Sequence, residues 1–283
     1  MKVALLQLNS GDLPAENLVQ TVAYVREAAK QGATFILTPE VTNCVSLSRS
    51  HQSAVLQFED NDLTLRALRA EAKALGVWIS IGSLALKTDD VDGRFANRSF
   101  LLAPDGSIAA HYDKIHMFDV AVTETETFRE SEGYRPGSRT AVAHVGDALV
   151  GLSICYDIRF PHLFRTLARA GADILLVPAA FSPVTGAAHW ETLLRARAIE
   201  TGCYVLAAAQ TGTHSAQSGK ARDTYGHSLA VSPWGEVLAD AGTSRGITLV
   251  EIDRSEVSKA RKRIPALTHD RPFSGPKTNE QSN

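Results

Sequence analysis

Two mixed β-sheets packed face to face, with helices outside, make the α/β fold that this sequence predicts, and three observations carry it. Apolar runs of strand length recur along the 283 residues, segments with apolar residues at helical spacing alternate with them, and some neighbouring strands look antiparallel. A composition of 44% hydrophobic and 21% charged residues is ordinary for a soluble globular protein, and the length suits one large α/β domain or two small ones.

Lys2 to Leu8 is an apolar run suited to an interior strand, closed by the turn-prone Asn9-Ser10-Gly11-Asp12. From Pro14 to Lys30, Leu18, Val22, Val25 and Ala29 share one helix face, and Gly32 ends the helix. Thr34 to Thr38 is a second buried strand, which delivers Pro39 and Glu40 at its end. Leu63 to Leu75 reads as a helix with Leu65, Leu68 and Ala72 inward and Gly76 as its stop. Val77 to Gly82 and Arg98 to Ala103 are strands, and Pro104-Asp105-Gly106 turns the latter back into a short antiparallel strand leading to His111. Residues 119 to 140 carry few periodic apolar positions and several acids, so a long loop acting as a wall or lid is expected there.

Leu149 to Ile154 is the next buried strand. It stops at Cys155 and Tyr156, and Pro161 opens a helix with Leu163, Phe164, Leu167 and Ala168 inward. Ala172 to Pro178, Cys203 to Ala209, Leu229 to Val231 and Ile247 to Ile252 are further strands. Ala187 to Gly202 is a helix facing inward through Trp190, Leu193, Leu194 and Ala198, with Arg195 and Arg197 spaced to pair with Glu191 and Glu200. Ser255 to Arg263 is the last helix, followed by a tail that either drapes over a partner subunit or stays disordered.

A formal net charge of -2 leaves no basic footprint for nucleic acid and no polybasic signal for a membrane. No window approaches the roughly 20 apolar residues that span a bilayer, and the apolar run of MKVALLQLNS is too short for a signal peptide, so a cytoplasmic location is expected. Cys44, Cys155 and Cys203 are widely spaced, without a C-x-x-C pair, which suggests neither a disulfide framework nor a structural zinc site.

Three residues invite chemistry. Cys155 sits where a strand becomes a helix, a junction that projects a side chain from the carboxyl end of a sheet and offers amide groups to a thiolate or an oxyanion. A lone cysteine in that place is also, commonly, inert core. Glu40 ends a predicted strand, where open α/β sheets build their sites; it reads either as a general base or as a solvated loop acid. Lys114, between a strand and an irregular loop, reads either as a fixed ammonium for developing negative charge or as a surface lysine.

Taken together, TFILTPE with Glu40, YDKIHMFD with Lys114 and GLSICYDIRFP with Cys155 resemble the nitrilase superfamily of carbon-nitrogen hydrolases, over Lys2 to about Asp253. The resemblance implies a four-layer α-β-β-α sandwich, a Glu-Lys-Cys triad, no cofactor or metal, and association into a homodimer or a higher homo-oligomer. It implies a carbon-nitrogen hydrolase domain over 1–255 and a C-terminal helix and tail over 256–283 near the subunit interface. Glu130 in FRESEGYRPG matches the segment whose glutamate, in relatives, hydrogen-bonds the lysine and helps place the substrate. The segments AFSPVTGAAHW and DTYGHS look most like the amidases of deaminated glutathione, close relatives of the ω-amidases. The activity implied is hydrolysis of a linear amide through a cysteine thioester, with 2-oxoglutarate and cysteinylglycine as products; ω-amidase action on 2-oxoglutaramate is the alternative.

On this reading Cys155 is the nucleophile, Glu40 the base, and Lys114 with the Tyr156 N–H the oxyanion donors. A carboxylate-bearing substrate calls for Arg or hydroxyl donors, for which Arg159, Thr185 and Tyr225 are the candidates, each with a plain packing role as its alternative. Two rivals stand beside this: a Cys-His hydrolase using His116, His162 or His189, and a non-catalytic binding protein of the same fold.

Overall fold

The structure is a computed structural model that describes residues 1–276 apart from 125 and 218. The first half runs β1 (Lys2–Gln7), α1 (Pro14–Lys30), β2 (Phe35–Leu37), α2 (Arg49–Val55), α3 (Leu63–Leu75), β3 (Trp78–Leu86), β4 (Ala96–Leu102) and β5 (Ile108–Asp113). A small hairpin of β6 (Asp119–Ala121) and β7 (Thr127–Arg129) follows. The second half runs β8 (Val142–Val145), β9 (Ala148–Leu152), α4 (Pro161–Arg169), β10 (Ile174–Leu176), α5 (Pro183–Thr201) and β11 (Tyr204–Ala207). It continues through β12 (Thr211–His214), β13 (Arg222–Tyr225), β14 (Leu229–Val231), β15 (Val237–Asp240), β16 (Gly246–Glu251) and α6 (Ser255–Arg263).

Two six-stranded sheets result, ordered β16-β1-β2-β3-β4-β5 and β15-β14-β11-β10-β9-β8. Each has three parallel strands at its centre, with antiparallel partners outside them. Strand alternation sorts the side chains. Val3 and Leu5 of β1, with Phe35 and Leu37 of β2, face the second sheet and pack in one core with Val150, Leu152, Ile174 and Leu176. Ala4, Leu6 and Ile36 face the other way and meet Val25 and Ala28 of α1 and Leu65, Leu68 and Ala72 of α3. Because both faces of the central strands are covered, they read as continuous apolar runs rather than alternating ones. Leu163, Phe164 and Leu167 of α4 and Trp190, Leu194 and Ala198 of α5 cover the second sheet. The order is therefore helix, sheet, sheet, helix, as expected. Between the sheet ends the backbones come very close: a Cβ on Gly82 would lie 2.1 Å from the Thr38 carbonyl and 2.5 Å from Pro178 Cβ, so only glycine fits.

Most predicted elements lie where the patterns put them, and the differences have local causes. On α1 the fully buried stripe is Pro14, Thr21, Val25 and Ala28, with Leu18, Val22 and Ala29 half-buried, because the helix is rotated slightly toward its polar flank. α5 begins at Pro183 rather than Ala187, since a proline is suited to a first helical turn. The expected loop over 119 to 140 holds the β6–β7 hairpin and a 3-10 turn at Glu130–Glu132, elements too short for periodicity to reveal. α2, β8, β12, β13 and β15 are short or half-exposed and escape the pattern for the same reason. α6 packs on the core through Val257 and Ala260. Beyond it the described part of the tail folds back on α4, where Asp270 pairs with Arg165 and Arg169 at 2.5 and 3.1 Å; residues 277–283 of the predicted tail lie outside the described residues.

Candidate active site

Glu40 lies three residues past β2, Lys114 directly follows β5, and Cys155 lies three residues past β9. All three, with Glu130, line one cavity of about 1060 Å³. The backbone is strained at two of these points, with φ of +49° at Cys155 and +46° at Val41, a β-branched residue directly after Glu40. Each distortion is held. The Cys155 N–H donates to the Pro178 carbonyl at 2.9 Å, and the Val41 N–H to Ser83 Oγ at 2.8 Å. Behind the sulfur, fully buried Asp157 accepts from the Ile154 N–H at 2.9 Å, the Tyr112 hydroxyl at 2.7 Å and the His116 N–H at 3.1 Å, which fixes the turn carrying Cys155.

Lys114 Nζ donates to Glu40 Oε1 at 2.8 Å and to both Glu130 oxygens at 2.8 and 2.9 Å. The other Glu40 oxygen accepts from the Ala180 N–H at 2.8 Å. Glu130 is pinned in turn by the Phe118 N–H at 2.6 Å. Asn97, on β4, was not found from the sequence, yet its Nδ2 donates to Glu40 at 3.0 Å and to Glu130 at 3.3 Å. Nothing local distinguishes it from any other asparagine in a strand. Glu40, Lys114 and Cys155 are only 4%, 2% and 6% exposed.

Burial disfavours charge on all three groups, and their neighbours decide the outcome. For Glu40 burial alone would raise the pKa, but the Lys114 ammonium outweighs it, aided by Arg222 and a hydrogen bond from Cys155, and the carboxyl titrates below its ordinary range. For Lys114 burial is outweighed by Glu130 and Glu40, so the ammonium holds its proton well above the usual range. Cys155 goes the other way: burial and the negative charge of Glu40 push the thiol well above its ordinary value, against the opposing pull of Lys114. The resting site is thiol, carboxylate and ammonium.

The wall of the cavity includes Tyr156, Phe118, Phe128, Phe181, Ser182, Thr185 and Arg222. Arg159 and Tyr225 do not line the cavity. The Arg159 guanidinium rests against the rings of Tyr156 and Phe181 and bonds His189 at 3.3 Å, whereas the Tyr225 ring fills the space at Gly186, where a Cβ would lie 2.3 Å from it. His116, His162 and His189 are also absent from the lining; His116 is engaged by Asp157 and stacked on Phe160. Among the described residues no group of three or more His, Cys, Asp or Glu side chains is placed to hold a metal ion.

The four layers and the cavity between the sheet ends define the class: a nitrilase-fold hydrolase of carbon-nitrogen bonds in amides. The family model for carbon-nitrogen hydrolases matches residues 2–262, and the chain belongs to that family. It is 39% identical to a deaminated glutathione amidase of Yersinia enterocolitica over 95% of this chain and 92% of that one. Among solved structures, a member of branch 10 of the nitrilase superfamily from Saccharomyces cerevisiae superposes with a TM-score of 0.84 at 28% identity, covering 96% of this chain and 97% of that chain. A mutant amidase from Nesterenkonia sp., with acrylamide added to its active-site cysteine, matches at a TM-score of 0.75 and 25% identity, over 94% of this chain and 98% of that one.

Proposed function

We propose that this protein hydrolyses deaminated glutathione to 2-oxoglutarate and cysteinylglycine, with Cys155 as nucleophile and Glu40 as general base. Glu40 takes the thiol proton as sulfur attacks the amide carbonyl. Negative charge gathering on the carbonyl oxygen is met by Lys114 and the Tyr156 N–H, and loss of one such donor typically costs about 10²–10³ in rate. As the tetrahedral adduct collapses, the amine leaves with the proton that Glu40 had taken, and the acyl group remains on Cys155 as a thioester. Glu40 then takes a proton from water, hydroxide adds to the thioester carbonyl, and the sulfur leaves and regains a proton. Glu130 and Asn97 hold Lys114 and Glu40 at their stations throughout.

One observation carries this reading: a carboxylate, an ammonium and a sulfur from residues 40, 114 and 155 line one buried hollow, with the ammonium bonded to the carboxylate. Support for the larger substrate over 2-oxoglutaramate comes from the cavity, whose roughly 1060 Å³ accommodates a tripeptide-sized molecule. The test is to supply both substrates side by side and measure ammonia and free amine separately. Amine release from deaminated glutathione at a kcat/KM well above that for ammonia release from 2-oxoglutaramate is expected; the reverse order makes the enzyme an ω-amidase. Intact-mass measurement of quenched turnover is expected to show the acyl group on wild-type protein and none on Cys155→Ala.

The proposal includes a cytoplasmic setting, consistent with three free cysteines, and a homo-oligomer. Among the described residues no helix is long and apolar enough to cross a membrane. Exposed Ile199 lies against Gly235, and Trp234 beside it sits under the Arg263 guanidinium at 3.7 Å, an apolar patch suited to a second copy. Sedimentation equilibrium is expected to report at least a dimer, and a dimer weakened by Trp234→Glu.

A further inference from the structure

Two residues outside the cavity lining connect the nucleophile to the ammonium. Asp157 is two residues after Cys155 and fully buried, and its oxygens divide four donors between two parts of the chain. Oδ2 accepts from the Ile154 N–H, directly before the nucleophile, at 2.9 Å and from the Tyr112 hydroxyl at 2.7 Å. Oδ1 accepts from the His116 N–H at 3.1 Å and from its ring Nδ1–H at 2.7 Å. Tyr112 and His116 stand two residues to either side of Lys114. One side chain past the end of β9 therefore holds both flanks of the lysine that follows β5, a strand of the other sheet. The flanks differ. Tyr112 is already placed by its pairing with Ser99 in the β4–β5 ladder, whereas His116 lies beyond β5, where Oδ1 takes both its backbone and its ring. That ring is stacked on Phe160 at 3.5 Å, and the Phe160 N–H donates to the Asp157 carbonyl at 2.9 Å. Cys155, at φ of +49°, keeps its strained backbone only while its surroundings fix it.

We propose that Asp157 and His116 are a positioning pair: they hold the segment after Lys114 against the nucleophile turn, so that a carbonyl attacked by Cys155 presents its oxygen to the ammonium at hydrogen-bond distance. This deepens the amidase reading above and rests on it. Neither residue lines the cavity, so neither touches substrate, and their effect falls on the bond-making step rather than on binding. The leverage is large because oxyanion donors act at about 2.7–3.1 Å, and a misplacement of about 1 Å can cost about 10²-fold in rate.

His116→Phe and His116→Asn separate this role from packing. Phenylalanine keeps a ring on Phe160 and loses the donor to Asp157; asparagine loses the stack and keeps a donor. The substrate is whichever of deaminated glutathione and 2-oxoglutaramate wild type turns over faster. For His116→Phe, kcat is expected to fall about 10-fold with KM within a few-fold, as for loss of one hydrogen bond to a charged group, and His116→Asn to stay within about 3-fold of wild type. Asp157→Asn is the stronger variant. Whichever way its amide turns, the NH2 group faces the backbone N–H of Ile154 or of His116, and kcat is expected to fall about 10²-fold. The His116 side chain is 17% exposed, so its variants carry the test if Asp157→Asn does not fold. Alkylation of Cys155 by iodoacetamide builds no oxyanion and is expected to stay within about 3-fold of wild type in both His116 variants. Butanal gives a readout that needs no turnover: the sulfur bonds to the aldehyde carbon, the thiol proton passes to the oxygen, and the resulting hydroxyl sits where the oxyanion would. Protecting Cys155 from iodoacetamide is expected to take about 10-fold more butanal in His116→Phe than in wild type or His116→Asn. An unchanged kcat in His116→Phe or in folded Asp157→Asn, equal losses in the two His116 variants, alkylation lost in step with turnover, or equal butanal protection in all three proteins overturns the pair. If wild type turns over neither amide while butanal protection follows the expected order, it is the amidase reading that has failed.

Discussion

Two strand ends meet in the cavity and hold their protons in opposite ways. Glu40 follows β2 of one sheet and Cys155 follows β9 of the other, each at a kinked backbone and each almost fully enclosed. Burial penalises the charged form of both. The carboxylate nevertheless stays ionised, because Lys114, Asn97 and the Ala180 N–H all donate to it; the thiol stays protonated, because burial and the negative charge of that carboxylate together outweigh the pull of Lys114. Equal burial thus gives opposite proton affinities, and the difference lies in how many donors reach each group. A charged carboxylate beside a protonated thiol is the pairing that the proposed amide attack requires.

The largest test of this contrast is Glu40→Gln. Turnover is expected to fall about 10³–10⁴-fold, since a general base is lost in both half-reactions. Alkylation of Cys155 by iodoacetamide at neutral pH is expected to be retained or accelerated, because the carboxylate that raises the thiol pKa is gone while Lys114 remains. Equal loss of both rates would break the contrast.

Next in size is Lys114→Met, which leaves two carboxylates facing each other without a cation. A loss of about 10²–10³ in kcat is expected together with about 3–5 kcal/mol of stability in urea denaturation, the usual cost of breaking a buried pair. Unchanged stability would mean that the ammonium does not bind Glu40 and Glu130 together as the geometry requires.

The titrations supply a subtler check. The Glu40 carboxyl is depressed in the folded state, so its stabilisation is present above the ordinary carboxylate pKa and is lost as pH falls through the depressed one. Lys114 is raised, so its stabilisation is full below the ordinary lysine pKa and is lost only as pH rises through the raised one. Denaturation midpoints are expected to plateau between these limits, with Glu40→Gln flattening the acid limb. The acid limb of kcat/KM is expected to lie below the ordinary carboxylate range as well.

Asn97→Leu is expected to lower kcat about 10-fold by removing donors to both carboxylates, measured under saturating substrate. The smallest effect belongs behind the sulfur. Tyr112→Phe removes one hydrogen bond to Asp157 and is expected to cost about 1 kcal/mol of stability with kcat within a few-fold of wild type.

Periodicity and turn chemistry are local, and so α1, α3 and α6, whose bounds agree with the pattern to the residue, and the central strands β1, β2, β9, β10 and β11, were legible in the chain. So were the candidate residues at three strand ends, through the motifs that carry the family resemblance. The sequence by itself determined which segments are helix or strand and which residues close each strand. Tertiary structure alone decided the company they keep. Asn97 reaches Glu40 across 57 positions, and Arg159 and Tyr225, equally plausible by composition, are not among the residues that line the cavity. The reason is physical: an element forms from contacts a few residues apart, whereas a proton affinity is set by groups that only the folding together of distant segments brings within about 3 Å.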